Sequence, residues 1–337
     1  MQSKITLRGE CNLDSLLKIP EGVILILGKV DSGKTTFTLF LVNAFISEGR
    51  RVAVVDADPG QADIGPPGTL SLGFPEREIQ KLSEILPVRM AFIGSTSPAG
   101  IFMWPTVWGV YDLVKFARER REIVIIDSSG LVFGRDGYTL IRSKISLIRP
   151  DLVVFLGEER EYIHLIEEAS RYSVVKLFPS SPSVKRKSFE ERKANRIRRW
   201  KNYFTGSFEA ELYWDSLKIG GFPHFGVGIP FPRERLRELS LELGTTILWA
   251  EEYNGMLKCL TFSCPKGDFE VNLDWLSLES LKHTLVGLEG REGLIDVGLV
   301  LSADGNGVLI KTRCVRLNEV ERVLLSKLKV DEEVFRD

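Results

Sequence analysis

Short apolar runs alternate along the first half of the chain with longer stretches whose apolar residues recur every three or four positions. The runs Gly22–Gly28 (GVILILG), Val52–Asp56, Val88–Ile93, Ile123–Asp127, Leu152–Leu156 and Val174–Leu177 are rich in β-branched residues and read as strands buried on both faces. Lys34–Ser47, Thr106–Arg118, Tyr138–Ile148 and Arg160–Tyr172 have helical spacing, and Glu48-Gly49 stops the first of them. This alternation predicts an α/β domain with a doubly wound, mostly parallel sheet, whose ligands lie beyond the carboxyl ends of the strands. From about Gly206 the pattern changes. Tyr253-Asn254-Gly255 and Asp304-Gly305-Asn306-Gly307 are hairpin turns joining Thr246–Glu251 to Met256–Phe262 and Gly293–Leu301 to Gly307–Val315. Asn318 with Glu321 predicts a capped final helix through Leu328. The expected organisation is a short N-terminal segment, 1–20, an α/β domain, 21–205, and a smaller C-terminal β-rich α+β domain, 206–337.

The 337 residues are 44% hydrophobic and 27% charged, ordinary for a globular protein, and the formal net charge of −1 means that a polyanion must be met by a local patch. Cys11, Cys259, Cys264 and Cys314 are scattered, and the last close pair lacks the spacing of a zinc knuckle or redox motif. His164, His224 and His283 stand apart, which discourages metallohydrolase and serine-hydrolase schemes. No apolar run approaches the roughly 20 residues that span a bilayer, and Met1–Glu10 lacks the apolar stretch of a signal peptide. A cytoplasmic protein without membrane partners is expected.

The residues Gly28-Lys29-Val30-Asp31-Ser32-Gly33-Lys34-Thr35 fit G-x-x-x-x-G-K-[ST] between a strand and a helix, which makes this a P-loop NTPase fold. In such a loop backbone N–H groups form an anion nest, the two glycines allow phosphate oxygens to approach, and the helix N-terminus adds its dipole. Lys34 is placed for the β- and γ-phosphates and Thr35 for Mg²⁺, with Thr36 next on the helix. ATP or GTP with Mg²⁺ is the expected cofactor set. Lys29 stands where dimerising ATPases carry a signature lysine. They follow it with two glycines, here Val30 and Asp31, so Lys29 reads as a solvated loop residue.

The second strand delivers Asp56, followed by Ala57-Asp58-Pro59-Gly60-Gln61. Asp56 at a strand tip beside the P-loop is a metal candidate, and Asp58 can share the metal or take a proton from an attacking hydroxyl. Gln61 can bind nucleophile or phosphate. Asp127, ending another strand before Ser128-Ser129-Gly130, competes for the metal.

Lys185 to Lys201 (KRKSFEERKANRIRRWK) holds nine basic residues against two acidic ones, a local charge of +7, so the rest of the chain carries −8. On a helix Arg192, Arg196 and Arg199 share one face. Arginine forks there can neutralise a transferring phosphoryl group or clamp a nucleic-acid phosphate.

Together these motifs resemble the polynucleotide 5′-hydroxyl kinases, a family that includes the kinase subunit of the mRNA 3′-end cleavage factor, ribosomal-RNA-processing relatives and archaeal RNA kinases. The likeness rests on Gly28–Thr36 (GKVDSGKTT), Asp56–Gln61 (DADPGQ), Pro67-Gly68-Thr69, Gly94–Pro98 (GSTSP), Asp127–Val132 (DSSGLV), Gly137-Tyr138 and Arg196–Phe204 (RIRRWKNYF). It covers about 20–206 and is similar to the short archaeal form, without the long N-terminal domain of eukaryotic members. The resemblance implies transfer of the γ-phosphate to 5′-OH ends of RNA or DNA. By position it makes Lys34 a phosphate ligand, Asp58 the base, Asp56 and Gln61 its support, and Thr96-Ser97 the substrate clasp. Arg192, Arg196 and Arg199 then form a lid, spanning about 183–204. Where members carry a tryptophan this chain has Leu131, leaving Phe102 or Trp104 to stack on a base. Two other readings are a P-loop ATPase or GTPase switch and a nucleotide-bound scaffold for RNA processing.

Overall fold

A computed structural model describes residues 14–180, 187–221, 225–266 and 272–334. Lys185 and Arg186 of the basic segment, with most of 1–20, lie outside the described residues. The chain divides into two compact units, Met1–Arg199 and Trp200–Asp337. Among the described residues no helix is long and apolar enough to cross a membrane.

The first unit runs α1 (Asp14–Leu17), β1 (Gly22–Gly28), α2 (Lys34–Ser47), β2 (Val52–Ala57), β3 (Thr69–Gly73), β4 (Pro87–Phe92), α3 (Met103–Arg118), β5 (Ile123–Ser128), α4 (Gly134–Ile148), β6 (Leu152–Leu156), α5 (Glu159–Ala169), β7 (Val174–Phe178) and α6 (Phe189–Phe204), the last running on into the second unit. The seven strands form one sheet in the order β4-β3-β2-β5-β1-β6-β7. Its central strands β2 and β5 are buried along their whole length because both faces are covered. Leu25, Val55 and Ile126 pack with Val110 of α3, Ile141 of α4 and Leu165 of α5. The alternate residues Ile24, Val54 and Ile125 pack with Leu41 and Phe45 of α2.

The apolar pattern does not reveal β3, a five-residue strand immediately after Pro67-Gly68. It pairs antiparallel with both β2 and β4. The strand order also corrects one expectation. β2 is not beside the P-loop strand; β5 lies between β2 and β1, with Asp127 in register with Ile26 on one side and Asp56 on the other.

The second unit holds β8 (Phe208–Tyr213), β9 (Lys218–Gly220), β10 (Ile229–Pro230), α7 (Arg233–Glu242), β11 (Ile247–Tyr253), β12 (Met256–Thr261), β13 (Asn272–Ser277), β14 (Leu285–Gly290), β15 (Gly293–Ala303), β16 (Gly307–Thr312) and β17 (Arg322–Leu324). A six-stranded sheet has the order β8-β16-β15-β14-β17-β9, and a four-stranded one β10-β11-β12-β13. The Asn254-Gly255 hairpin forms with both residues at positive φ, 52° and 71°, as its turn type requires. The expected C-terminal helix is absent. Val323 and Leu325 are buried on either side of the less buried Leu324, and β17 pairs with β14 and β9, so sheet pairing overrides the local capping signal.

Candidate active site

The P-loop follows β1 as a turn and opens α2 at Gly33, whose φ of 91° only glycine takes readily. Asp31 also has positive φ, 57°. Gly28 is packed so closely on Ser32 that a Cβ would collide with its hydroxyl. Lys34 is buried, and its ammonium donates to the carbonyls of Gly28 and Lys29, both at 2.8 Å. Burial lowers its pKa against the pull of Asp127, Asp58 and Asp31. Val30 and Thr36 are exposed. Lys29, instead of being free in solvent, reaches Glu161 of α5 at 2.6 Å, and its backbone N–H donates to the Tyr162 hydroxyl. Lys29 is thus tethered within its own chain, where the sequence predicts a solvated loop residue.

Gly130 holds the Asp127–Val132 loop against the P-loop. A Cβ at 130 would stand 2.8 Å from both N and Cα of Val30. Gly130→Ala is therefore expected to push the P-loop backbone and weaken nucleotide binding at least tenfold, roughly the 1.4 kcal/mol of a modest steric misfit. Titration with a fluorescent nucleotide measures this, and unchanged affinity would show that the loop yields freely.

Of the two strand-end carboxylates, Asp127 is the one joined to the nucleotide loop: its Oδ2 accepts the Thr35 hydroxyl at 2.9 Å. Its Oδ1, with Ser32 Oγ and Ser129 Oγ, is buried without a hydrogen-bond partner. Burial raises the Asp127 carboxyl to about 7, opposed by Lys34 and Thr35. A raised carboxyl contributes stability that is present below its ordinary value, near 3.8, and lost as pH rises through 7. The nucleotide-free Asp127→Asn protein is expected to gain more Tm over its parent at pH 8 than at pH 5. Equal gains in differential scanning fluorimetry would refute that environment.

Asp56 has a different place. Its Oδ1 accepts the N–H of Asp58 at 3.2 Å, and its Oδ2 accepts those of Asp63 and, at 3.0 Å, Ile64. Burial first, then Asp63 and Asp127, push its carboxyl well above the usual range. With both oxygens accepting from backbone N–H groups, Asp56 ties the acidic loop together. Among the described residues no cluster of three or more His, Cys, Asp or Glu able to hold a metal occurs. Mg²⁺ rarely needs one, since phosphates and water supply most of its ligands.

Asp58 is half-buried at the loop's rim. Its Oδ1 caps the turn by accepting from the N–H groups of Gly60 and Gln61 at 2.9 and 3.0 Å, and its Oδ2 has no hydrogen-bond partner among the described residues. Gln61 donates to the Gly60 carbonyl and, at 3.5 Å, to that of Arg192. Gly60 lies directly against the Thr96 carbonyl, so Thr96 and Ser97 stand at the same rim. Ser97 is exposed, its N–H turned onto the Ser95 hydroxyl.

α6 brings the arginine row to these loops. Arg192 pairs with Asp31 of the P-loop at 2.6 Å, and the Lys187 N–H binds the same carboxylate at 3.0 Å. Arg199 pairs with Asp63. Between them Arg196 has no ion-pair or hydrogen-bond partner among the described residues. Burial and Arg192 lower its pKa, and Asp58 opposes them. The row thus spans the P-loop and the acidic loop, with Arg192 tied to the first and Arg199 to the second, and Arg196 between them without a partner among the described residues. Sequence reasoning missed Asp63, whose only signal is its position two residues past Gln61.

Residues 28–206 match the mRNA cleavage and polyadenylation factor CLP1 P-loop family. A polyribonucleotide 5′-hydroxyl-kinase of Methanocaldococcus jannaschii is 38% identical over 201 residues, 59% of this chain and 54% of that protein, so the match spans about half of that relative. One from Thermococcus kodakarensis is 32% identical over 315 residues, 92% of this chain and 88% of that protein. A solved Clp1p–Pcf11p complex gives a TM-score of 0.64 at 11% identity, over 94% of this chain and 77% of that one, a likeness of fold. With the P-loop, the acidic loop and the arginine helix all inside the matched segment, this chain belongs to the CLP1 P-loop family.

Proposed function

We propose that this protein is an ATP- or GTP-dependent polynucleotide 5′-hydroxyl kinase acting on RNA, with DNA ends as a second acceptor class. The observation that carries the reading is Arg196, without a partner among the described residues, held on α6 between Arg192, tied to Asp31 of the P-loop, and Arg199, tied to Asp63 of the acidic loop. The archaeal relatives that align along nearly the whole chain carry the same activity in their names.

The P-loop N–H groups, with Gly28, Lys29, Val30, Asp31, Ser32 and Gly33 as backbone, cradle the triphosphate. Lys34 turns from its loop carbonyls to the β- and γ-phosphates, and Thr36 supports the first turn. Thr35 and Asp127 would hold Mg²⁺, which would offset charge on the phosphates. Asp56 keeps the loop rigid. Thr96, Ser97 and Gln61 bind the acceptor end beside Asp58. Asp58 Oδ2 takes the proton of the 5′-hydroxyl as that oxygen bonds to the γ-phosphorus. The bond from phosphorus to the bridging oxygen breaks, and the nucleoside diphosphate leaves. Arg196 meets the charge spread over the transferring group, with Arg192 and Arg199 fixing the helix that carries it.

Incubation with γ-labelled ATP and matched 5′-OH RNA and DNA oligonucleotides tests the reading. Label is expected on the oligonucleotide. Release of label only as inorganic phosphate would favour the ATPase or GTPase switch, and neither product the scaffold.

A further inference from the structure

Asp31 puts a carboxylate into a loop built to gather anions, and it stands there at a positive φ, 57°, that glycine would take more readily. Both features work against a phosphate site. The side chain is turned to the start of α6, where its Oδ2 accepts the Lys187 N–H at 3.0 Å and the Arg192 guanidinium at 2.6 Å. The helix begins at that point because Ser188 and Glu191 form a capping box. The Ser188 hydroxyl accepts the Glu191 N–H at 3.1 Å, and the Glu191 carboxylate accepts the Ser188 N–H at 2.6 Å. A carboxylate at this end also meets the positive pole of the helix dipole. The pair is largely shielded from water, with the Asp31 side chain 12% exposed and that of Arg192 28%. Asp31 therefore pins the first turn of α6 to the P-loop. Arg196 follows one turn later, and Arg199 on Asp63 pins the helix beyond it.

We propose that Asp31 is a positioning residue for the arginine helix, a P-loop carboxylate that weakens nucleotide binding while it holds Arg196 in place for phosphoryl transfer. The placement half rests on the kinase reading above; the affinity half does not. The two members of the pair then act on the nucleotide with opposite signs. Loss of Arg192 leaves a bare negative charge in the phosphate loop. Loss of the Asp31 charge removes that repulsion and releases a cation, but lets the first turn of α6 drift. Ground-state binding improves and transition-state stabilisation is lost.

Asp31→Asn keeps a residue type that tolerates positive φ and removes only the charge. It is expected to tighten binding of a fluorescent ATP analogue about threefold, the scale of a charge interaction within reach of solvent. It should lower kcat for oligonucleotide labelling about tenfold, the scale of one lost hydrogen bond between charged groups. Arg192→Ala should weaken the same binding, and the double variant should bind at least as tightly as the parent while its kcat stays low. A pair that merely holds the fold gives changes of one sign from either member and no rescue. Affinity that does not rise in Asp31→Asn, an Arg192→Ala binding defect that persists in the double variant, or an unchanged kcat overturns the proposal. Should Asp31→Asn not fold, Asp31→Gly, which takes the same φ without strain, carries the same comparison. A parent protein that never labels an oligonucleotide overturns the kinase reading instead, and the affinities still decide whether Asp31 opposes the nucleotide.

Discussion

Asp58→Asn is expected to cut kcat for 5′-phosphorylation by about 10³- to 10⁴-fold, the upper range for loss of a general base. The structure makes the substitution selective. The turn depends on one oxygen accepting from Gly60 and Gln61, and the asparagine carbonyl keeps that cap. Only the second oxygen changes, from a proton acceptor to an NH₂ that cannot take the 5′-hydroxyl proton. KM for ATP should therefore hold, since the P-loop contacts are untouched, and Tm should shift little. Steady-state kinetics with a labelled oligonucleotide separates the terms. Turnover within tenfold of the parent would move the base elsewhere and leave Asp58 as a turn residue.

Arg196→Ala is expected to cost about 10³-fold in kcat, the lower end for an arginine that stabilises phosphoryl transfer. The side chain makes no ion pair whose loss would loosen the helix, whereas Arg192–Asp31 and Arg199–Asp63 remain. The loss should appear in kcat with the thermal transition in place. Arg196→Lys should recover only part of it, because an ammonium does not reproduce the planar fork. Arg192→Ala offers the contrast. It frees Asp31 and loosens the docking, so it should raise KM for nucleotide more than it lowers kcat. Equal losses for all three arginines would mean that the row works as a diffuse basic surface.

The parts of this molecule legible in the sequence are those encoded locally. Buried strands such as Ile123–Ser128 announce themselves because both faces are covered, and the P-loop because each position has a fixed task. Arg192, Arg196 and Arg199 fall on one face through helical periodicity alone. Pairing across the sheet is encoded nowhere locally. The order β2-β5-β1, which gives Asp127 and not Asp56 to Thr35, depends on which crossover inserts where. β17 was masked in the same way, since Asn318 and Glu321 satisfy a helix rule that two neighbouring strands overrule.

The single reversed strand, β3, has a lasting effect on the design. It turns the chain so that the connection before β3 and the segment leaving β4 emerge at one rim, where the Gly68 carbonyl accepts from Ile93 and Gly94 while the Gly68 N–H donates to the Pro59 carbonyl. The stretch proposed to meet the acceptor end is thereby spliced in as a cassette at the edge of the sheet, away from the strand that leads into the P-loop. Selection can lengthen or recut that cassette to suit new termini while the fuel-handling half is inherited intact.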